Sequence, residues 1–129
     1  FARAAAALGV MRPIARASRR ALLSPYDSWS NRRAVHRFVQ DIPLKPGDKA
    51  WDLVAAAEKQ LPNYRPLPAF IGWGLQDFVF DQDFLAHFVK DLPNATQKIY
   101  GDAGHYVLED KHAELVPAIR QFLDRHPVA

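Results

Sequence analysis

The chain has 129 residues, 49% of them hydrophobic and 24% charged, which suits a soluble globular protein with one real core. No apolar run approaches the roughly eighteen residues that a membrane span needs, so stable membrane insertion is not expected. There is no cysteine, which excludes disulfides, thiolate metal sites and a Cys nucleophile, and fits a reducing, cytoplasmic setting.

Charge is uneven along the chain. Residues 1–40 carry eight Arg (Arg3, Arg12, Arg16, Arg19, Arg20, Arg32, Arg33 and Arg37) against Asp27 alone, a balance of +7. Residues 41–129 carry nine Lys or Arg against thirteen acids, a balance of −4. The chain opens on Phe1 within an Ala/Arg stretch of helical composition, and is expected to be the C-terminal part of a longer protein. Residues 1–23 favour helix, divided into two by Gly9 and Pro13. Their Arg side chains could meet an anionic lipid or nucleic acid. No aromatic residues interleave to stack bases, so solvated helix faces are the simpler expectation and no nucleic-acid partner is expected.

Residues 24–31, SPYDSWSN, are a turn-rich link in which Ser30 or Asn31 could cap the following helix. That helix, NRRAVHRFVQDIP, carries Ala34, Val35, Phe38 and Val39 at helical spacing and ends before Pro43. KPGD (45–48) is a turn, with Asp48 a candidate N-cap for a helix over residues 50–61. PAFIGWG (68–74) is a short apolar run closed by Gly, as in a buried parallel strand, with Trp73 a core residue. LQDFVFD is a loop. DQDFLAHFVKDL (81–92) is an amphipathic helix capped by Asp81, with Phe84, Leu85, Phe88 and Val89 inward. TQKIYG (96–101) is a second strand, DAGHYVLED a loop, and KHAELVPAIRQFLDRH (111–126) a helix with a core stripe of Leu115, Val116, Ile119, Phe122 and Leu123.

Helix, strand, loop, helix, strand, loop, helix implies parallel strands with helical crossovers, an open α/β sheet. Reactive residues in such sheets sit in loops at the carboxyl ends of strands. Asp77 follows the first strand by three residues and His105 the second by four, which places both at one sheet edge. A carboxylate there can hold the Nδ1 hydrogen of the imidazole and fix its tautomer, freeing the other nitrogen for proton transfer. His36, His87, His112 and His126 lack partners at metal spacing, and neither a metal nor a cofactor is expected. Asp102 and Glu109 suit turn and helix-start roles.

WGLQDFVF followed by GDAGHYVLED resembles the acid and histidine loops of the α/β-hydrolase superfamily, and KHAELVPAIRQFL resembles its closing helix. PYDSWSNRRAVHRFVQDIP is similar to the end of the cap in the haloalkane-dehalogenase-like branch, which includes the β-lactone decarboxylases of olefin biosynthesis. The resemblance covers nearly all of residues 24–126. It implies a helical cap segment over residues 1–61 and the C-terminal part of the core, with its last two parallel strands, over 62–129. It further implies Asp77 and His105 as catalytic acid and base, and a small hydrophobic substrate with a covalent intermediate hydrolysed by His-activated water. Trp29, with Tyr26 and Phe38, would line the substrate pocket or simply pack the cap; Phe78 and Phe80 would wall it beside the acid loop. No Gly-x-Ser-x-Gly elbow, Asp-nucleophile turn or oxyanion loop is present, so this stretch alone is expected to be inactive. The leading expectation is thus a cofactor-independent hydrolase of the haloalkane-dehalogenase-like branch, with β-lactone decarboxylation, ester or epoxide hydrolysis, and a non-catalytic binding role as alternatives.

Overall fold

The computed structural model describes residues 2–127. The Ala/Arg stretch forms two helices, α1 (Ala2–Leu8) and α2 (Arg16–Leu23), separated where Gly9 and Pro13 interrupt the backbone ladder. Short 3-10 turns at Ser24–Tyr26 and Ser30–Arg32 lead into α3 (Arg33–Gln40). Neither Ser30 nor Asn31 caps α3: the cap position is Arg32, with no side-chain bond, because the extra 3-10 turn shifts the helix start. Asp48 does not cap the next helix, α4 (Trp51–Gln60), either. Its Oδ2 accepts from the N–H groups of Leu44 and Lys45, closing the turn at Gly47, whose φ of 93° suits a residue without Cβ.

β1 (Phe70–Gly74) and β2 (Thr96–Tyr100) pair in parallel, in register from Phe70 opposite Thr96 to Gly74 opposite Tyr100. Parallel neighbours need a crossover, and α5 (Gln82–Asp91) provides it. Asp81 caps α5 as expected, its Oδ1 accepting from the N–H groups of Asp83 and Phe84. Phe84 departs from the inward stripe: it is exposed and packs edge-on against Phe80, with ring centroids 5.2 Å apart. The segment after β2 is not loop throughout, since Val107–Asp110 forms one helical turn, α6, before α7 (His112–Arg125).

The core under β1 is small. Leu115 of α7 is 2% exposed and reaches the face of β1 at Gly72, and Phe122 sets its ring edge-on against Phe70 at 5.5 Å. Val116 and Leu123 are exposed, so the stripe on α7 is narrower than the sequence pattern suggested. Trp73 packs on Phe88 at 5.9 Å, and its buried Nε1–H finds no acceptor among the described residues. Gln97, Lys98 and Ile99 leave β2 open, although parallel strands are ordinarily covered on both faces. The mixed arrangement of helices and two parallel strands joined by a helical crossover is that of an α/β sheet, and agrees with the expectation of a C-terminal portion of an α/β-hydrolase fold.

Candidate active site

The two strands deliver their following loops to one edge of the sheet. After β1, the chain turns at Gly74, with the Asp77 N–H donating to the Gly74 carbonyl at 3.2 Å. After β2, residues 101–106 fold back over that turn, and the Gln76 N–H donates to the Ala103 carbonyl at 3.0 Å. Ala103 is fully buried between the two. A Cβ on Gly74 would lie 2.5 Å from the Gly104 carbonyl oxygen, so only glycine lets the histidine loop approach this closely.

The consequence is a direct pair. His105 Nδ1 lies 2.9 Å from Asp77 Oδ2 and 3.1 Å from Oδ1. The Asp77 side chain is 9% exposed, and Oδ1 also accepts from the Val79 and Phe80 N–H groups at 2.8 and 3.0 Å. Burial pushes the Asp77 carboxyl up. The Phe80 N–H, the His105 ring and the Val79 N–H outweigh it, and the carboxyl settles below its ordinary value. An ionised carboxylate facing Nδ1 favours a hydrogen on that nitrogen. Nε2 makes no hydrogen bond among the described residues and is free to exchange a proton. Such a pair can take up or deliver a proton at Nε2 and hold the resulting imidazolium.

The aromatic candidates divide. Phe80 stacks obliquely on His105, centroids 5.5 Å apart, and the neighbouring Tyr106 ring lies at the same distance. Phe78 is exposed and belongs to none of the aromatic pairs among the described residues. Trp29 is 81% exposed and lines a separate groove with Arg32, Val35, His36 and Val39, which includes neither Asp77 nor His105. The structure therefore brings Phe80 to the pair but not Trp29.

Two further acids lie near the histidine loop: Asp102, to which the sequence gives a turn role, and Asp110, which it does not single out. Asp102 bonds the Lys111 ammonium at 2.8 Å and the Arg12 guanidinium at 2.9 Å. Lys111 holds the Asp102 carboxyl below its usual range, and Asp102 in turn raises Lys111. Asp110 is 7% exposed and accepts only backbone N–H groups. No pattern in a single sequence marks an acid whose partners lie almost a hundred residues away.

No protein-family model matches the chain. It is 52% identical over 128 residues to cis-3-alkyl-4-alkyloxetan-2-one decarboxylase of Xanthomonas campestris pv. campestris, covering 99% of the chain but 43% of that protein. It is 44% identical over 124 residues to the protein of the same name from Shewanella oneidensis, covering 95% of the chain and 39% of the relative. The chain thus spans about two fifths of the length of these curated relatives. Over nearly its whole length the chain is similar in sequence to about two fifths of each of these two proteins named as decarboxylases.

Proposed function

We propose that the full-length protein decarboxylates a β-lactone bearing two alkyl chains, and that Asp77 and His105 are the acid and base of its site. The observation that carries this is the 52% identity, over 99% of the chain, to a protein named for that reaction on a 3,4-dialkyl oxetan-2-one. The 2.9 Å contact between His105 Nδ1 and Asp77 Oδ2 supports the assignment of roles. The substrate is then a small hydrophobic molecule, and Phe80 supplies apolar wall beside the pair. The absence of cysteine supports a reducing, cytoplasmic setting.

The reaction breaks the ring C4–O1 and C2–C3 bonds, forms a C3–C4 double bond and releases carbon dioxide. No water is consumed and no net proton is lost. His105 therefore acts reversibly: starting as the imidazolium, with hydrogens on both nitrogens, Nε2 lends its proton to the carboxylate oxygen as C4–O1 opens, and recovers it as carbon dioxide leaves. Asp77 holds the Nδ1–H in place in both the imidazolium and the neutral form. A carboxylate nucleophile from elsewhere in the protein fits the same balance if it adds at C4 and is expelled unchanged. In the dehalogenase-like alternative, Nε2 instead draws a proton from water that attacks a covalent ester.

Product analysis separates the two. Given a synthetic cis-3,4-dialkyl oxetan-2-one, the full-length protein should yield alkene and carbon dioxide in equal amounts. A β-hydroxy acid would sink decarboxylation in favour of hydrolysis, halide release from a haloalkane would favour dehalogenation, and binding without any product would mark a non-catalytic relative. His105→Ala should lower turnover by about 10²–10⁴-fold. Undiminished turnover would remove His105 from the mechanism.

A further inference from the structure

Asp110 is a buried carboxylate without a basic side-chain partner among the described residues. Its Oδ1 accepts from the backbone N–H groups of Met11 at 3.0 Å and Arg12 at 3.1 Å. Its Oδ2 accepts from Met11 at 3.0 Å and from Gly104, the residue before His105, at 2.8 Å. The Tyr106 N–H, on the other side of His105, donates to the Gly9 carbonyl at 2.7 Å. The histidine is thus held from both flanks: the Ala103–Gly104 peptide before it by Asp110, the His105–Tyr106 peptide after it by Gly9, and both holds converge on the segment 9–12. Close approach makes this possible, since a Cβ on Gly9 would stand 3.2 Å from the Tyr106 ring and one on Gly104 would stand 3.0 Å from the Gly9 carbonyl.

A carboxylate is costly to bury, and three backbone donors to one acid are far more than packing requires. Lys111 is turned to Asp102 and not to Asp110, so among the described residues Asp110 is met by backbone N–H groups. Three such donors, converging on its two oxygens, fix the carboxyl in one place. What they fix with it is the peptide that aims the imidazole at Asp77.

We propose that Asp110 is a positioning residue for His105, bridging the histidine loop to the segment 9–12 so that Nδ1 stays within hydrogen-bond reach of Asp77. The proposal rests on the assignment of His105 as the reacting base, but its primary readout does not. Asp110→Asn keeps the size and one acceptor while turning an N–H toward a donor, Gly104 or Met11. In the full-length protein, the His105 Nδ1–H bonded to Asp77 should give a low-field, slowly exchanging proton resonance. Asp110→Asn should weaken or abolish that resonance and lower kcat at least tenfold with a smaller change in KM. Asp102→Asn is the control: it breaks the outer ion pairs to Arg12 and Lys111, so it should lower the Tm but leave the resonance in place. If Asp110→Asn does not fold, Gly9→Ala, which wedges the same segment away from Tyr106, must weaken the resonance instead. An unchanged resonance in the folded variant, or an equal effect of Asp102→Asn, overturns the proposal. Loss of decarboxylase activity as a concept would leave this resonance test standing, because it reads the His105–Asp77 bond and not turnover.

Discussion

Replacing Asp77 by Asn removes a charge while leaving most of the loop's own bonding available. In the wild type, Oδ1 holds the Val79 and Phe80 N–H groups at 2.8 and 3.0 Å, and Oδ2 holds Nδ1 at 2.9 Å. The Asn carbonyl can keep the first two, so the turn survives. Its amide then faces Nδ1 with hydrogens, and the imidazole must accept there. The neutral ring then carries its hydrogen on Nε2, so that nitrogen cannot take a proton back without forming an imidazolium that has lost its counter-charge. Where this change has been made in an acid–His pair of the serine-protease type the loss is about 10⁴-fold, or roughly 5.5 kcal/mol of activation free energy. We expect a loss of the same order in kcat, with KM changed several-fold at most. The assay is alkene release from a 3,4-dialkyl oxetan-2-one by the full-length protein, with the histidine tautomer read in parallel by nitrogen NMR. A variant within tenfold of wild type whose His105 has switched tautomer would refute the reasoning, because the tautomer would then not matter to the rate.

Further outcomes follow from packing and charge. Gly74→Ala puts a methyl group 2.5 Å from the Gly104 carbonyl and should cost at least about 1–3 kcal/mol, with kcat falling alongside as the histidine loop lifts; urea unfolding and kinetics on one sample check both. Leu115→Ala empties the one large, fully buried side chain under β1 and should cost about 2–5 kcal/mol, seen as a lower denaturation midpoint at unchanged slope. Asp77 sits below its ordinary carboxyl value of 3.8 when folded, so the folded state binds fewer protons there than the unfolded chain. Its contribution to stability is whole above that value and drains away as pH falls through the lower folded value. The Tm of Asp77→Asn should therefore decline less steeply than that of wild type below about pH 4; parallel curves would contradict the shift.

Much of this site could be read from residue order alone. A strand needs only a short apolar run ending in Gly, as at PAFIGWG, and the alternation of helix and strand dictates parallel pairing; together these place Asp77 and His105 at one sheet edge. Asp81 could be assigned as a cap because its partners lie two and three residues away. Where competition between neighbours decides, local patterns fail. Asp48 has the composition of a cap but satisfies the turn behind it, and Phe84 has the spacing of a core residue but turns to Phe80. Trp29 shares a cap-like stretch with other apolar residues, yet only the folded chain shows that its groove excludes the Asp77–His105 pair.

The sequence by itself determined that an acid and a histidine follow consecutive parallel strands, because strand, crossover and loop are short-range consequences of apolar spacing, capping and Gly or Pro. Tertiary structure alone decided that they touch at 2.9 Å, and how the contact is held. That depends on Gly74 admitting the backbone of residues 103 and 104, and on Asp110 gathering N–H groups from Met11, Arg12 and Gly104. Such contacts join residues up to 99 positions apart, and their energies arise from burial and donor geometry that exist only once the chain has closed on itself.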